Sequence, residues 1–171
     1  PEVKIFGFVK GLDPEKYMDK KTARRMDRFS HFAVAAAAEA IQDAKLDGLP
    51  QEIKSNPEIA YRIGVKLGTG SGGQITNEEA TRTQMQKGAR AVSPFAIPML
   101  MPNAGNANIA RLYGFKGPNL SANSACASGL DGIILAAQDI ILGNADLMLA
   151  GGLEAALTPP TIASFARAGA L

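Results

Sequence analysis

The last third of the sequence alternates between the spacing of helices and that of strands, and this alternation limits the fold more than any other feature. Apolar side chains recur at helical spacing over residues 130–141, which predicts an amphipathic helix closed by Gly143. Residues 147–150 form a short, continuous apolar run, which is typical of a strand buried on both faces. Residues 119–125 are a second candidate strand, before the helix. Strands that alternate with helices predict an α/β layered fold with a largely parallel sheet.

The first two thirds of the chain contain the same two spacings. From Phe32 onward, an alanine-rich stretch places a stripe of small and apolar residues on one side of a predicted helix: Phe32, Ala33, Ala36, Ala37, Ala40, Ile41 and Ala44. The other predicted elements are a strand over 63–67, a glycine-rich turn over 68–73, a helix over 77–87, and a helix over 104–113 that ends at Gly114. Loops are predicted over 1–18, 47–60 and 93–102, because glycines or prolines interrupt these segments.

Composition narrows the class of protein. The 171 residues, 46% of them hydrophobic, suffice for one compact domain and exclude wholesale disorder. The 18 basic and 16 acidic side chains leave a net charge of +2, which does not indicate a nucleic-acid-binding protein. The single Cys excludes an internal disulfide, and one Cys with one His does not make a zinc site. No uninterrupted apolar run is long enough to cross a membrane.

The segment with the most chemical content is residues 123–129 (NSACASG), in which Cys126 stands between a predicted strand and a predicted helix. This order of strand, nucleophile and helix is typical of a nucleophile elbow. The positive end of a helix dipole favours a thiolate, and the small neighbours leave backbone N–H groups free to face a developing oxyanion. The alternative is a buried structural thiol that behaves as a small hydrophobe. Residue type and setting leave both interpretations open.

Two further patterns each have a structural and a functional interpretation. Residues 20–28 (KKTARRMDR) carry five basic side chains and one acidic one, and they form either a solvated helix start or a docking surface for an acidic partner. The glycines of the turn over 68–73 fit the G-x-G-x-x-G pattern of dinucleotide-binding folds. No Asp or Glu occurs between Glu79 and Asp131, where a ribose-binding acid is expected. A close backbone turn is therefore the favoured interpretation of the glycines.

Together these segments resemble the elongating β-ketoacyl-acyl carrier protein synthases of the thiolase superfamily. The resemblance rests on GPNLSANSACASGLDGI, GNADLMLAGGLEA, YMDKKTARRMDRF, RIGVKLGTGSGG, VSPFAIPMLMPN and YGFKGP, which occur in the family's order. It covers the chain from about Lys4 to Leu171 and implies the thiolase-like layered α/β fold, which is built from two similar halves. Residues 1–171 are then expected to be a partial N-terminal half-domain without its opening strand. The start without Met and the abrupt ends favour the same interpretation of a piece of a longer protein.

The resemblance implies that Cys126 is the nucleophile of an acyltransferase in fatty-acid elongation. Cys126 would accept an acyl group from acyl carrier protein as a thioester. The carbanion formed when malonyl-acyl carrier protein loses carbon dioxide would then attack this thioester in a Claisen condensation. The family completes its site with two histidines, a lysine and an oxyanion N–H from the second half, none of which can be placed here. His31 lies where the family has no catalytic histidine, and we expect it to be a partly exposed helix residue.

The resemblance also implies partners. Lys21, Arg24 and Arg25 match the residues with which the family holds the acidic acyl carrier protein, and Arg90 matches another basic position. No prosthetic group is implied, because the carrier protein brings its own phosphopantetheine arm. A cytoplasmic homodimer is implied, in which the strand over 119–125 pairs with its twofold mate.

Three residues are assigned to the acyl pocket by the resemblance. Ser71 stands where a larger apolar residue is usual, and Ala96 stands where an aromatic residue is usual. Phe165 retains an expected aromatic, and Glu154 is expected to be structural. Smaller side chains enlarge a cavity, so the pocket is either roomier than usual or compensated by neighbouring residues.

Other functions remain open at this point. A polyketide-type ketosynthase would share the mechanism, whereas a chain-length factor usually lacks the nucleophile that is present here. A non-catalytic module that docks acyl carrier protein through residues 20–28 would not need an activated Cys126. A nucleotide-binding protein is the third class, and titration with NAD would test it.

Overall fold

A computed structural model describes Val3 and residues 5–171. Its strands are Ile63–Gly68 (β1), Asn119–Ala122 (β2) and Leu147–Gly152 (β3). Its α-helices are Lys20–Ala23 (α1), Arg28–Asp43 (α2), Leu49–Ser55 (α3), Gln74–Lys87 (α4), Ala96–Leu100 (α5), Ala104–Tyr113 (α6), Ser128–Ile141 (α7) and Pro159–Arg167 (α8). Short 3-10 helices cover Pro14–Lys16, Pro57–Arg62, Ala89–Ala91 and Ala125–Ala127. No helix within the described ranges is long and apolar enough to cross a membrane.

The strands form one sheet in the order β2-β1-β3, and both pairings are parallel. In the register, Val65 stands opposite Asn119 on one side and Leu149 on the other. All six residues of β1 are buried because the strand lies at the centre of the sheet. The predicted α/β class with a parallel sheet is therefore confirmed.

Alternate residues of β1 face opposite sides of the sheet. Val65 belongs to the hydrophobic core, together with Phe29 of α2 and Ile109 of α6. The neighbouring Lys66 faces the other side, where its ammonium group meets Asp139 of α7. Helices α6 and α2 thus cover one side of the sheet, and α7 covers the other.

Helix α2 is present, but its buried side differs from the predicted stripe. The carboxylate of Asp27 accepts a hydrogen bond from the Phe29 backbone N–H at 3.1 Å, so the helix begins before Phe32. Its buried residues are Phe29, Ser30, Ala33, Val34, Ala35, Ala37 and Ile41. Three members of the predicted stripe, Ala36, Ala40 and Ala44, are exposed. The large, fully buried Phe29 determines which side of the helix faces the core, and the predicted stripe omitted it.

Two of the three predicted loops contain helix. The segment 47–60 holds α3 and most of a 3-10 helix, and the segment 93–102 holds α5. The prolines misled the prediction because they stand in the first turn of α3 and of the 3-10 helix, where proline lacks only a hydrogen bond that the helix would not make. The predicted loop over 1–18 is confirmed apart from the 3-10 helix Pro14–Lys16; Pro1, Glu2 and Lys4 lie outside the described residues.

Helix α7 confirms the predicted helix, but its large apolar residues face away from the sheet. Its side toward the sheet is made of small residues. A Cβ at Gly132 would lie 2.9 Å from the Gly151 carbonyl oxygen, and a Cβ at Gly152 would lie 2.9 Å from the Cα atom of Gly129. The glycines therefore allow α7 to lie directly on β1 and β3. The exposed side carries Leu130, Ile133, Ile134, Ile140, Ile141 and Leu142.

Strand β3 corrects a further prediction. Residues 147–150 were expected to be buried on both faces, but they are only half-buried. The reason is that β3 lies at one edge of the described sheet. The predicted helix over 104–113 matches α6, and Gly114 ends it in the left-handed conformation at φ 79°.

Candidate active site

Cys126 lies on a strained turn between β2 and α7. Strand β2 ends at Ala122, three residues earlier than predicted, and the 3-10 helix Ala125–Ala127 joins it to α7. Ala125 has a φ of 53°, which lies in the left-handed region. This conformation is energetically unfavourable for any residue that has a Cβ atom. The Cys126 thiol is free and exposed. The expected order of strand, Cys and helix is present, and the alternative of a buried structural thiol is wrong for the described chain.

The turn around Cys126 is held by its own side chains. The Ser128 hydroxyl donates to the Ala125 carbonyl at 2.7 Å and accepts from the Ser124 N–H at 2.9 Å. The Ser124 hydroxyl donates to the Asp131 carboxylate in the first turn of α7. These bonds offset the strain at Ala125, and none of them involves the Cys126 thiol.

The glycine-rich turn over 68–73 packs directly against this elbow. A Cβ on Gly68 would overlap the backbone carbonyl group of Ser128, and a Cβ on Gly70 would lie 3.7 Å from the Ala125 carbonyl oxygen. The Asn123 amide donates to the Thr69 carbonyl at 2.7 Å. The predicted close backbone turn is confirmed, because the overlap at Gly68 leaves no room for a side chain at that position.

Glu154 ties the tip of the same turn. Its Oε2 atom accepts hydrogen bonds from the N–H groups of Gly70 at 3.0 Å and Ser71 at 3.1 Å. It also accepts from the hydroxyl groups of Ser71 and Thr69, both at 3.2 Å. Glu154 was expected to be structural, but its contact with this turn was not predicted. The GGLEA motif was the available signal, but it does not indicate a contact with residues more than 80 positions away.

The three residues assigned to the acyl pocket lie in different settings. Ser71 is exposed at the tip of the turn, and Ala96 is buried at the start of α5. The end of α5 contacts the turn, since the Gly73 N–H donates to the Leu100 carbonyl at 3.0 Å. Phe165 lies on α8 and lines a mostly apolar cavity of about 520 Å³ that Glu154 also borders. Ser71, Ala96 and Cys126 do not line this cavity.

The basic residues of the first helix form one surface. Lys20, Lys21, Arg24 and Arg25 surround a shallow depression with Phe95, and the Arg25 guanidinium lies 4.2 Å from the centre of the Phe95 ring. Arg90 is exposed but does not line this depression.

One cation beside this surface was not predicted from the sequence, whereas the single histidine lies in the predicted setting. Arg111 of α6 borders a neighbouring depression with Lys21 and Arg25. His31 is half-buried, and its Nε2 atom lies 2.9 Å from the Ala23 carbonyl oxygen, in agreement with the expected helix residue. Among the residues that the structure describes, no group of His, Cys, Asp or Glu side chains is arranged to hold a metal ion.

A buried ion pair below the site was also missed. The Lys66 ammonium lies 2.5 Å from the Asp139 carboxylate, and both side chains are 10% exposed. The hydrogen bond from Lys66 lowers the pKa of Asp139 below its ordinary value, with help from the Asn144 amide and against the raising effect of burial. Lys66 also donates to the Leu135 carbonyl at 3.3 Å. The pair fixes α7, and with it the elbow, on β1.

Comparison with known proteins agrees with this arrangement. A family model described as "Beta-ketoacyl synthase, N-terminal domain" matches residues 4–171. A Staphylococcus aureus protein named 3-oxoacyl-[acyl-carrier-protein] synthase 2 is 43% identical over 169 residues, which are 99% of this chain and 40% of the relative. A Vibrio cholerae protein of the same name is 42% identical over 165 residues, which are 96% of this chain and 38% of the relative. The chain thus spans about 40% of the length of these curated relatives.

Solved structures show the same fold. A beta-ketoacyl synthase from Burkholderia phymatum is 31% identical, with a TM-score of 0.74 over 95% of this chain and 37% of that one. A chain from the complex of a type II polyketide-synthase acyl-carrier protein with its hexaketide-bound ketosynthase gives a TM-score of 0.84 at 23% identity. That match covers 94% of this chain and 44% of the other. The predicted half of a thiolase-like layered fold is confirmed.

Proposed function

Because the chain belongs to the beta-ketoacyl synthase family, we propose that it supplies the nucleophile for a decarboxylative Claisen condensation in fatty-acid elongation. The observation that carries the proposal is the exposed Cys126 thiol on a strained turn between β2 and α7. Relatives more than 40% identical are named 3-oxoacyl-[acyl-carrier-protein] synthase 2, which supports fatty-acid rather than polyketide synthesis. The polyketide ketosynthase match, at 23% identity, supports the fold alone.

In the proposed first step, the Cys126 sulfur attacks the carbonyl carbon of an acyl thioester on acyl carrier protein. A new carbon–sulfur bond forms, the carrier's thiol leaves, and the proton given up by Cys126 ends on that thiol. In the second step, malonyl-acyl carrier protein loses carbon dioxide. The carbanion attacks the Cys126 thioester, and the sulfur leaves as the regenerated thiolate. Backbone N–H groups at the start of α7 are suited to stabilise the oxyanion in both steps.

We further propose that residues 1–171 act as a partial N-terminal half-domain whose site is completed by a second half. The apolar side of α7 supports this, since Ile141 is 81% exposed and Leu142 is 72% exposed. A contiguous apolar face of this kind marks an interaction surface. The proposal also includes a cytoplasmic homodimer, and the edge strand β2, with Leu120 half-exposed, is available for pairing with a second copy.

Acyl carrier protein is the proposed partner of the basic surface. Lys21, Arg24 and Arg25 are exposed and clustered, and Arg90 is proposed to extend their surface. Exposed cations attract an acidic partner over long range and orient it before contact. Among the solved structures, a related ketosynthase is in complex with its own acyl-carrier protein.

We assign Ser71, Ala96 and Phe165 to the acyl-binding region. Ser71 supports this best, because its turn lies against the elbow that carries Cys126. The small side chain of Ser71, which is exposed, leaves more space than the larger residue usual in the family, and we propose a roomier pocket there. Ala96 is buried by its neighbours, which favours compensation at that position. Acyl donors of increasing chain length test the expectation of a roomier pocket by their rates of transfer to Cys126. The expectation is wrong if acyl chains longer than those accepted by typical relatives do not react.

The covalent step has a direct test. The chain is incubated with acylated acyl carrier protein, and its intact mass is compared for wild type and Cys126→Ala. We expect a gain of one acyl group in wild type, located at Cys126 by peptide mapping, and no gain in the variant. An acyl group on another residue, or an equal gain in the variant, contradicts the assignment.

The docking surface is tested by charge reversal. Arg24→Glu combined with Arg25→Glu should weaken binding of acyl carrier protein by about 10-fold or more, most strongly at low salt. The matched control is Lys45→Glu combined with Lys54→Glu, which makes the same change in net charge at exposed positions away from this surface. Equal weakening by the two double variants contradicts a specific docking role.

A further inference from the structure

The tip of the glycine-rich turn depends on a single carboxylate. The start of the turn is fixed by the sheet, where the Thr69 N–H donates to the Ala122 carbonyl at 3.0 Å. Its end is fixed by α5, where the Gly73 N–H donates to the Leu100 carbonyl at 3.0 Å. Between these anchors, the N–H groups of Gly70 and Ser71 and the Ser71 hydroxyl all donate to Glu154.

The tip is also the part of the turn that lies beside the nucleophile. A Cβ on Gly70 would be 3.3 Å from the Glu154 carboxylate and 3.8 Å from the Cα atom of Ala125, the residue before Cys126. Glu154, the tip and the elbow therefore form one continuous set of contacts. The Gly72 N–H also donates to the Thr69 hydroxyl at 3.0 Å, which closes the turn from within. A displacement of the carboxylate is still transmitted to the space next to the thiol, because Glu154 accepts every hydrogen bond that Gly70 and Ser71 donate within the described residues.

We propose that Glu154 is a positioning residue that holds Gly70 and Ser71 beside Cys126 and thereby determines which acyl-chain lengths the thiol accepts. The inference rests on the proposed function, because it concerns the acyl group that Cys126 receives. A carboxylate suits this role, since its charge strengthens each of the converging hydrogen bonds. Glu154 has no part in proton or acyl transfer, and it acts only through the turn.

The Ser71 hydroxyl gains a second role from this arrangement. Its small size leaves space near the acyl group, and its hydrogen bond to Glu154 at 3.2 Å anchors the same residue. A short acyl chain stays close to Cys126 and makes few contacts with the turn. A long chain extends farther from Cys126. Under the proposed assignment of Ser71 to the acyl-binding region, it contacts the tip, so its transfer depends on the position of Ser71.

The experiment compares Glu154→Ala, Glu154→Gln and the control Glu58→Ala, which removes an exposed carboxylate elsewhere. Each full chain is acylated with butyryl and palmitoyl thioesters of N-acetylcysteamine, and intact mass gives the rate constant of acylation and the thioester concentration for half-maximal rate. Alkylation of Cys126 by iodoacetamide reports the accessibility of the thiol. Circular dichroism reports folding.

In Glu154→Ala, we expect palmitoyl transfer to fall about 10- to 100-fold relative to butyryl transfer, because small displacements of reacting groups have effects of this size. The alkylation rate should stay within about twofold of wild type, since the small reagent does not contact the turn. Glu154→Gln should recover much of the palmitoyl rate, because its amide oxygen still accepts hydrogen bonds. Glu58→Ala should match wild type.

Equal effects on the two donors, or no effect, overturn the inference while the proposed function stands. If Glu154→Ala fails to fold, Glu154→Gln decides the matter: a neutral acceptor is expected to lower the ratio of palmitoyl to butyryl rates, and an unchanged ratio overturns the inference. If the wild-type chain accepts neither acyl group, the proposed function itself is wrong. The wild-type measurement alone shows this, so it is distinguishable from a failure of the inference about Glu154.

Discussion

The buried ion pair between β1 and α7 gives the sharpest prediction about stability. We consider Asp139→Ala, which leaves the Lys66 ammonium in a setting that is 10% exposed with one remaining acceptor, the Leu135 carbonyl at 3.3 Å. An uncompensated buried charge costs about 3–5 kcal/mol of the free energy of unfolding. Lys66→Met should cost a similar amount, because it leaves the Asp139 carboxylate with only the Asn144 amide.

A double variant distinguishes the cost of an unpaired buried charge from the cost of lost contacts. Replacing both charges, as in Lys66→Met with Asp139→Val, removes the unpaired charge together with its partner. The double variant should therefore be more stable than either single variant, since replacing a buried pair by apolar residues is neutral or stabilising by about 1–4 kcal/mol.

The chain offers a matched control in the ion pair between Arg62 and Asp146. Its N···O distance of 2.6 Å is as short, but the two side chains are 41% and 70% exposed. Asp146→Asn should thus cost only about 0–1 kcal/mol, because solvent screens exposed charges. The assay is urea unfolding followed by circular dichroism, where a loss of 4 kcal/mol shifts the midpoint by about 2 M. If Asp139→Ala lowers the free energy of unfolding by less than about 0.5 kcal/mol, or if variants at the two pairs lower it equally, burial does not determine the cost of breaking the pair.

Three further predictions follow from burial and from close approach. Since Lys66 lowers the pKa of Asp139 in the folded chain, the stability from this group is present above the unfolded pKa, near 4, and should be lost as pH falls below about 4; Asp139→Ala should show a shallower acid transition. Gly68→Ala should lower the unfolding midpoint because its Cβ would overlap the Ser128 carbonyl, whereas Gly48→Ala, whose nearest atom is 3.6 Å away, should be nearly neutral. Ile109→Ala should cost about 2–5 kcal/mol, because Ile109 is fully buried in the core.

Local patterns were sufficient to predict the order of elements around Cys126. The spacing of apolar residues located α7, and the alternation at residues 63–67 located β1, because both signals come from neighbouring positions. The glycines over 68–73 predicted that the backbone of this turn lies close to other segments, but not which segments these are. The closest partners are Ser128 for Gly68 and Leu100 for Gly73, which lie 60 and 27 positions farther along the chain.

Contacts between distant positions could not be read from the sequence. Glu154 and the turn that it anchors are 83 to 85 residues apart. No local pattern pairs Lys66 with Asp139, and a charged residue within a strand predicts solvent rather than an ion pair. Packing also decided which side of a helix is buried: Phe29 reoriented α2, and the glycines of α7 put its large apolar residues on the exposed side.

In the proposed function, residues 4–171 form the part of a condensing enzyme that carries the nucleophile. The most direct test of this proposal is a chimera in which these residues replace the matching 40% of the Staphylococcus aureus relative, assayed for 3-oxoacyl product from acyl- and malonyl-acyl carrier protein. We predict that the chimera forms the product and that Cys126→Ala abolishes it. The proposed function is wrong if a folded chimera forms no product, or if the Cys126→Ala chimera is as active as its parent.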